Sequence, residues 1–411
     1  MRRVVITGMS GLTALGDEWT LIKDNLLSYK NAVVKMPDWA QYHGLLTNLA
    51  APLANYDVPA DTYTRKKTRS MGTVALLAVR ATEKALIDAN LLNDPCLKNG
   101  KAGVAYGSSA GSIDAVRDFA HMMEKKDTGS LTANTYVRMM PHTTSVNIAI
   151  FFGLTGRIIT TSTACTSGSQ SIGYAYEAIL TGKQDIMVAG GAEELSPTEA
   201  AVFDTLFATS CKNDTPKLTP SPYDKDRDGL VIGEGAATLI LEEYEHAKAR
   251  GAKIYAEIVG FATNCDATHI TKPQGPIMQL CIENALKDAN LAPCDIGYIS
   301  AHGTATDAGD VEESNATFNV FGCNTPFSSL KSYFGHTLGA CGAIEAWLSI
   351  MMMQEKWFTP TLNLVNVDER CGNLDYIKDK VRQIDTQFIQ SNNFAFGGIN
   401  TSLIFKKIEQ L

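Results

Sequence analysis

The chain of 411 residues contains little charge and no long apolar run. Only 19% of its residues are Asp, Glu, Lys or Arg, below the ~25% usual in soluble domains, whereas 45% are hydrophobic. This composition excludes a disordered chain, a collagen and a coiled coil, and a chain of this length can bury a large core. No stretch approaches the ~20 apolar residues that a membrane span needs, so we expect no membrane association.

Metal and nucleotide motifs are also missing from the sequence. The nine cysteines are scattered singly, without a CxxC pair, and the seven histidines form no HExxH, so we expect no metal. Unpaired thiols indicate a cytoplasmic protein. Without a Walker A or GxGxxG segment, a nucleotide cofactor has no support. The net charge of −8 argues against nucleic acid as a general partner.

Short β-branched runs alternate with helical patterns along most of the chain, which favours an α/β fold with buried strands. The N-terminus reads as the first strand and not as a signal peptide, and a helix is predicted over Gly72–Asn90. The predicted strands are Arg3–Thr7, Gly103–Tyr106, Ile158–Thr163, Asp185–Ala189, Thr238–Glu242, Tyr255–Val259, Tyr298–Ser300 and Ser402–Phe405.

Two segments, 158–180 and 327–351, share one order of elements. In each, a strand-like run leads through one reactive side chain, Cys165 or His336, into a helix with apolar residues at i, i+4, i+7 and i+8. This repeat predicts two similar halves. We place them at residues 1–250, with the cysteine, and 251–411, with the histidines.

Cys165 is the strongest candidate for a nucleophile. It lies between a predicted strand and a predicted helix, where unpaired N–H groups lower the pKa of a thiol and can cradle an oxyanion. His302 directly follows the strand Tyr298–Ser300, and His336 precedes the second helix. A cysteine and two histidines at such turns indicate covalent catalysis. On this pattern alone, Cys165 can also be a small buried hydrophobe.

Two glycine-rich segments leave further interpretations open. Gly107–Gly111 matches the GxSxG nucleophile elbow, with Ser109 as the serine. This match offers the alternative that the protein is a serine hydrolase. The paired glycines after Phe396 allow a tight turn that aims main-chain N–H groups inward, or an ordinary turn before the last strand.

Taken together, these segments resemble a β-ketoacyl-acyl carrier protein synthase of the elongating, type II fatty acid synthase class. The resemblance implies an α/β thiolase fold, with two duplicated halves in an αβαβα layered arrangement. It also implies a protein that is normally dimeric. The segments that carry it, in chain order, are Arg2–Gly8, Thr163–Gly168, Val188–Glu193, Asp226–Gly235, Ala301–Thr304, Gly335–His336, Phe396–Gly398 and Ser402–Lys407.

The resemblance implies roles for the central residues. Cys165 would accept an acyl group from acyl carrier protein, with main-chain N–H groups of Cys165 and Phe396 as the oxyanion hole. His302 and His336 would bind the thioester carbonyl of malonyl carrier protein, which loses carbon dioxide and attacks the acyl-cysteine. Lys331 and Glu345 would orient and tune the site. No cofactor is implied beyond the phosphopantetheine that carries the substrates.

The resemblance also implies binding roles for residues around this centre. Thr304 and Thr306 would bind the phosphopantetheine arm, Phe396 would gate the pocket, and Ala110, Phe203 and Phe394 would contact the substrate. The basic residues that would dock the acidic carrier protein are Arg65, Lys66, Lys67 and Arg69.

Two departures from the family pattern bear on specificity. The gating loop carries Ala395 where glycine is usual, which restricts the backbone. Ala110 replaces a bulkier residue of the acyl pocket, from which we expect long or unusual acyl chains, as in polyene or polyketide synthesis, in place of short saturated ones.

Two relatives of this family are rival interpretations. A chain-length factor shares the fold but lacks the nucleophilic cysteine, so Cys165 argues against it; the chain can still be one half of such a heterodimer, with a homodimer as the first expectation. A degradative thiolase needs a second catalytic cysteine near its C-terminus, and the last predicted strand and its Phe396–Gly398 turn contain none.

Overall fold

The computed structural model describes residues 2–408. Its strands are β1 Val4–Leu12, β2 Val34–Lys35, β3 Leu49–Ala51, β4 Ala102–Gly107, β5 Ile158–Thr161, β6 Ile186–Glu193, β7 Ile232–Gly233, β8 Gly235–Glu243, β9 Ala256–Cys265, β10 Ile296–Ser300, β11 Pro326–Ser328, β12 Trp357–Phe358, β13 Asp375–Tyr376, β14 Arg382–Gln383, β15 Phe388–Phe394 and β16 Ile399–Lys407.

The α-helices are α1 Trp19–Leu27, α2 Arg65–Thr68, α3 Thr73–Asp88, α4 Ile113–Lys125, α5 Ala133–Met139, α6 Thr143–Phe152, α7 Ser167–Leu180, α8 Pro197–Asp204, α9 Tyr244–Ala249, α10 Gly275–Ala289, α11 Asp307–Phe321, α12 Lys331–Phe334 and α13 Cys341–Glu355. Short 3₁₀ helices occupy Pro37–Gln41, Pro95–Lys98, Ala164–Thr166, Pro216–Leu218, Pro293–Asp295 and Leu338–Ala340. None of the helices within residues 2–408 has the length and apolar character needed to cross a bilayer.

One strand order occurs twice in the main sheet. The first half runs β1-β8-β6-β4-β5 and the second β9-β16-β15-β10-β11, so each half places its five strands in the order first, fifth, fourth, second, third. The parallel and antiparallel pairs also match between the halves. The two first strands, β1 and β9, pair antiparallel and join the halves. Each half therefore builds the same unit.

Helices lie between and outside the two sets of strands. α7 packs on β4 and β6, α13 packs on β8 and β15, and α7 and α13 contact each other, so these two helices form the central layer. Almost every residue of α13 is buried, as expected for a helix covered on all sides. α3 packs on β1 and β8, and α10 on β9 and β16, in the outer layers.

The predicted strands are all present, but several boundaries were wrong. β1 extends to Leu12 because its pairing with β8 continues as far as Leu12 and Ala236. Gly8 lets helix α3 pack closely on this strand, since a Cβ there would lie 2.5 Å from the carbonyl oxygen of Ala85. β5 ends at Thr161 and not at Thr163, because the chain turns into the 3₁₀ helix that carries Cys165. β15 was not predicted.

Candidate active site

The three residues singled out by the sequence meet in one buried site. Cys165 lies in the turn between β5 and α7, after the left-handed residue Ala164 (φ 50°), and His336 lies in the corresponding turn of the second half, before α13. His302 follows β10. His336 Nε2 is 2.9 Å from Cys165 Sγ, and the two imidazole rings lie edge to face with centroids 5.1 Å apart.

Burial, more than the helix N-terminus, determines the state of the thiol. Burial raises the pKa of Cys165 to about 11, although the charge of Lys331 and the main-chain N–H groups of Phe396 and Cys165 lower it in part. The main-chain N–H groups thus act in the predicted direction, but burial outweighs them. Burial, aided by the charge of Lys331, also holds the pKa of His302 and His336 well below the usual range. A neutral thiol thus faces two neutral imidazoles.

The surroundings of His302 fix its tautomer. Lys331 Nζ lies 3.2 Å and Asn393 Nδ2 3.3 Å from His302 Nδ1, and both groups can only donate. Nδ1 must therefore accept, so the ring proton is on Nε2. Lys331 Nζ also donates to the main-chain oxygen of His302 at 2.6 Å, which holds the residue in place.

Lys331 belongs to a buried charge network. Its ammonium lies 2.5 Å from Glu345 Oε1, and Asn393 Nδ2 donates to Glu345 Oε2 at 2.7 Å. Burial disfavours the ammonium, but the Glu345 carboxylate outweighs it, so the pKa of Lys331 is raised and the amine stays charged. Asn393, which sequence reasoning missed, thus connects Glu345 with His302.

Two carboxyl groups of α11 hold the loop that carries His302, and sequence reasoning missed both. Glu313 accepts the main-chain N–H groups of His302 and Gly303, each at 2.7 Å, and Asp310 accepts those of the next two residues. Burial raises the pKa of Glu313 to about 7 and that of Asp310 to about 6. The loop is therefore positioned by main-chain hydrogen bonds and not by its own sequence.

A cavity of about 340 Å³ opens onto the three central side chains. The walls include the predicted substrate-binding residues Thr304, Thr306, Phe203 and Phe394, together with the predicted gate residue Phe396. The two threonine hydroxyls lie 2.9 Å apart.

Ala110 is absent from these walls. Its main-chain N–H instead lies 3.4 Å from Glu193 Oε1. The role of Ala110 in an acyl pocket stays a prediction.

The gating loop packs against the wall of this cavity. The Phe396 ring meets the Phe203 ring edge to face, with centroids 5.1 Å apart. Gly397 (φ 86°) and Gly398 (φ 76°) adopt backbone conformations that favour glycine, whereas Ala395 does not. The alanine that departs from the family pattern is therefore unstrained in this conformation.

The predicted docking residues lie on the surface. α2 carries Arg65, Lys66 and Lys67, and Arg69 follows it; all four are exposed. Within residues 2–408 none of them forms an ion pair with a carboxylate. Lys67 Nζ lies 5.2 Å from the centre of the Phe151 ring. The charges of this basic segment are free to meet an external partner.

The same side chains have the chemistry of a metal site. One donor atom each of Cys165, His302 and His336 lies within 4.8 Å of the others, as do those of His302, Cys341 and Glu345. The Lys331 ammonium, in contact with both His302 and Glu345, competes with a cation in the second group. The prediction that no metal binds here stays a prediction.

Family models and known proteins match nearly the whole chain. Residues 1–247 match the beta-ketoacyl synthase N-terminal domain and residues 255–365 its C-terminal domain. The chain is 37% identical to 3-oxoacyl-[acyl-carrier-protein] synthase 2 of Vibrio harveyi, over 100% of this chain and 99% of the relative. The chain belongs to the β-ketoacyl synthase family.

Solved structures agree with this assignment. A β-ketoacyl synthase from Burkholderia phymatum superposes with a TM-score of 0.98 at 58% identity, over 100% of both chains. A type II polyketide acyl carrier protein in complex with its ketosynthase, bound to a hexaketide, gives 0.87 at 30% identity, over 99% of this chain and 100% of that one. The predicted family, thiolase fold and ketosynthase enzyme class are confirmed.

The family excludes the serine-hydrolase interpretation, and the structure gives the reason. Ser109 donates through its hydroxyl to the buried carboxylate of Glu193. Its main-chain N–H donates to the same group at 2.8 Å. A serine hydrogen-bonded to a carboxylate in this way supports the turn after β4. Among residues 2–408 no histidine forms a hydrogen bond with Ser109 to activate it as a nucleophile.

Proposed function

We propose that this ketosynthase elongates an acyl chain by decarboxylative condensation of malonyl-acyl carrier protein with an acyl group held on Cys165. The observation that carries the proposal is the Cys165 sulfur facing His336 Nε2 at 2.9 Å, with His302 beside it, in one buried cavity. A nucleophile that forms the thioester and two N–H donors that stabilise an enolate are the groups this reaction needs.

In the first half-reaction, Cys165 Sγ attacks the thioester carbonyl of the acyl carrier protein. The sulfur–carbon bond to Cys165 forms, the bond to the pantetheine sulfur breaks, and the thiol proton of Cys165 ends on that sulfur. The main-chain N–H groups of Cys165 and Phe396, which lower the pKa of the resting thiol, donate hydrogen bonds to the oxyanion of the tetrahedral intermediate. The proposal assigns the ring proton of His336 to Nε2, which lies 2.9 Å from the sulfur; this N–H group and the charge of Lys331 stabilise the sulfur as it loses its proton.

In the second half-reaction, the thioester oxygen of the malonyl group accepts hydrogen bonds from Nε2–H of His302 and His336. The bond to the carboxylate breaks, carbon dioxide leaves, and the electron pair forms an enolate. Its carbon attacks the acyl-cysteine carbonyl, and Cys165 Sγ leaves as a thiolate that takes a proton from water. Neutral imidazoles suit this role because each has one N–H group that donates a hydrogen bond. Unlike an imidazolium, a neutral imidazole does not readily transfer that proton to the enolate.

The carrier protein binds, in this proposal, through opposite charge. Exposed Arg65, Lys66, Lys67 and Arg69 offer unpaired positive charge that steers an acidic partner, and the Thr304 and Thr306 hydroxyls in the cavity wall meet the pantetheine arm. The substitutions Lys66→Glu and Lys67→Glu would raise KM for acyl carrier protein substrates and leave KM for acyl-pantetheine unchanged. Lys380→Glu, at another exposed lysine, is the matched control.

A second copy of the chain is the proposed partner in assembly. β5 ends the sheet, so one of its edges has no neighbouring strand within residues 2–408, and Ile158 on it is 45% exposed. Pairing of two β5 edges would continue the sheet and cover this isoleucine. Light scattering would show a dimer of the purified chain. A monomer that dimerises only with a chain-length factor would favour the heterodimer instead.

We further propose that the reaction requires no cofactor besides the carried phosphopantetheine and takes place in the cytoplasm. None of the nine cysteines forms a disulfide, in keeping with a reducing compartment. Full activity after dialysis against a chelator, and recovery in the cytosolic fraction, test the two statements.

The proposal is tested by supplying acyl and malonyl carrier proteins to the purified enzyme. We expect a β-ketoacyl carrier protein longer by two carbons from the wild type and none from Cys165→Ala. Cys165→Gln should still release carbon dioxide from malonyl carrier protein, because the two histidines remain. Absence of both activities in the wild type would contradict the proposal.

A further inference from the structure

Strongly exposed apolar side chains line the mouth of the active-site cavity. Phe207 lies three residues past the end of α8 and is 82% exposed, and Ile270, in the loop between β9 and α10, is 69% exposed. Leu206 is exposed beside Phe207. All three line the cavity that holds Cys165 at its buried end. We call these three residues the mouth surface.

The two parts of the mouth surface flank the gating loop. On one side, the Phe203 ring of α8 packs on Phe396, and the main-chain N–H of Leu206 donates to the main-chain oxygen of Phe203 at 3.1 Å. On the other side, the main-chain N–H of Gly397 donates to the main-chain oxygen of Ile270 at 2.9 Å. The mouth surface therefore frames the opening through which a substrate passes the gate.

Phe207 is held in an unfavourable backbone conformation. Its φ of 53° lies in the left-handed region, which a bulky side chain rarely adopts. Its main-chain N–H donates to the main-chain oxygen of Asp204 at 2.9 Å, and that of Ala208 donates to Phe203 at 3.0 Å, so the turn is fixed. Backbone strain and an exposed aromatic ring both cost free energy, and both are typical of binding sites.

The route of the substrate decides what covers the mouth surface. An acyl group carried on phosphopantetheine stays attached to its carrier protein until Cys165 accepts it. The arm can reach Cys165 through this cavity only when the carrier protein lies over the mouth, next to Phe207 and Ile270. Whatever part of the carrier protein surrounds the attachment point of the arm must therefore meet these side chains.

The exposed charges at the mouth fit the same partner. Asp307 in the cavity wall is paired with Arg370 and Arg227. Lys272, also exposed in the wall, forms no ion pair with a carboxylate within residues 2–408. The mouth thus presents a positive charge beside its apolar side chains, which is complementary to the phosphodiester that joins the arm to the carrier protein.

We propose that Leu206, Phe207 and Ile270 form an apolar docking surface for the acyl carrier protein, which receives an apolar side chain next to the attachment point of its phosphopantetheine. Contact between this side chain and the Phe207 ring removes apolar area of both proteins from water. Salt screens the attraction of the basic segment but not this contact. The inference rests on the proposed function, because it takes the acyl group to arrive on a carrier protein.

Loading of Cys165 from two octanoyl donors tests the inference. Octanoyl-acyl carrier protein presents the docking partner, whereas octanoyl-pantetheine presents the arm alone. We expect Phe207→Ser and Ile270→Ser to lower kcat/KM for the carrier protein about tenfold more than for pantetheine. This difference should persist at ~1 M salt, where charged contacts are screened. Leu280→Ser, at an exposed leucine of α10 outside the cavity wall, is the matched control and should change neither value.

A double-mutant cycle identifies the partner side chain. Exposed apolar residues of the carrier protein within one helical turn of the attachment point are replaced, one at a time, with serine. One of them should lower kcat/KM about tenfold with the wild-type enzyme and much less with Phe207→Ser. Additive losses for every such residue would overturn the inference.

Two further outcomes separate the inference from the proposed function. Equal losses from the two donors in Phe207→Ser and Ile270→Ser would show that the mouth surface contacts only the pantetheine arm, and would overturn the docking role alone. Loading of the wild type by octanoyl-pantetheine measures the proposed function independently of any docking. Absence of loading from both donors would refute the proposed function itself.

Discussion

Replacing Asn393 with alanine should separate the two half-reactions. Asn393 Nδ2 donates to Glu345 at 2.7 Å and lies 3.3 Å from His302 Nδ1. The substitution removes one of the two donors that keep the ring proton of His302 on Nε2. The malonyl half-reaction needs that proton, whereas acylation of Cys165 does not. We therefore expect slow decarboxylation and condensation with near-normal acylation.

The structure sets the size of the effect. A buried hydrogen bond to a charged group contributes about 1.5–3 kcal/mol, which bounds the stability lost at Glu345. Lys331 still donates to Nδ1 of His302, at 3.2 Å, so the preference for the tautomer with its proton on Nε2 is weakened but not lost. We expect the decarboxylation rate to fall by about 10- to 100-fold, since each 1.36 kcal/mol of lost transition-state stabilisation is tenfold in rate.

Two assays on the same protein check this. Release of labelled carbon dioxide from malonyl carrier protein reports the second half-reaction, and intact-protein mass after brief exposure to acyl carrier protein reports the first. Asn392→Ala is the matched control, because Asn392 is buried on the same strand but accepts from Ser402 instead of contacting His302. Equal losses in both assays for Asn393→Ala, or no loss of decarboxylation, would refute the assignment.

Three other predictions address the thiol, the charge pair and the acyl pocket. Alkylation of Cys165 by chloroacetamide should quicken steadily with pH up to about 11, because the thiolate fraction rises as pH approaches the raised pKa; a plateau near neutral pH would contradict this. Lys331→Met should lower the free energy of unfolding by about 3–5 kcal/mol by leaving the buried Glu345 carboxylate without its counter-ion, and adding Glu345→Gln should restore part of it in urea denaturation. Ala110→Ile should reduce acylation by long chains more than by short ones, and unchanged chain-length profiles would remove Ala110 from the pocket.

Local patterns were sufficient to find the chemistry-bearing turns. Cys165 and His336 follow strands and precede helices, a pattern readable from a few residues, and the structure places both in equivalent turns of the two halves. The same local reasoning failed for β15, because Gln390 through Asn393 are polar residues with low strand propensity. Gln390 and Asn392 form hydrogen bonds with Ser402 across the sheet, and Asn393 donates to Glu345 in the site, contacts that only the tertiary structure shows.

Charge states and hydrogen-bond partners distant in the chain could not be predicted from the sequence. The helix N-terminus predicted main-chain N–H groups that lower the pKa of Cys165, but the depth of burial, which no local pattern reveals, outweighs them and raises it. Glu313 lies on α11, eleven positions from His302, with nothing in its own surroundings to mark it as the acceptor of main-chain N–H groups. Such residues become visible only when the fold brings their partners to them.

The central claim is that Cys165 carries the growing chain. The most direct measurement is the intact mass of the wild type and of Cys165→Ala after mixing with a panel of acyl carrier proteins. The account predicts an acyl-sized mass gain in the wild type, located at Cys165, and none in the variant. An equal gain in both proteins, or none in the wild type with any acyl donor, would contradict it.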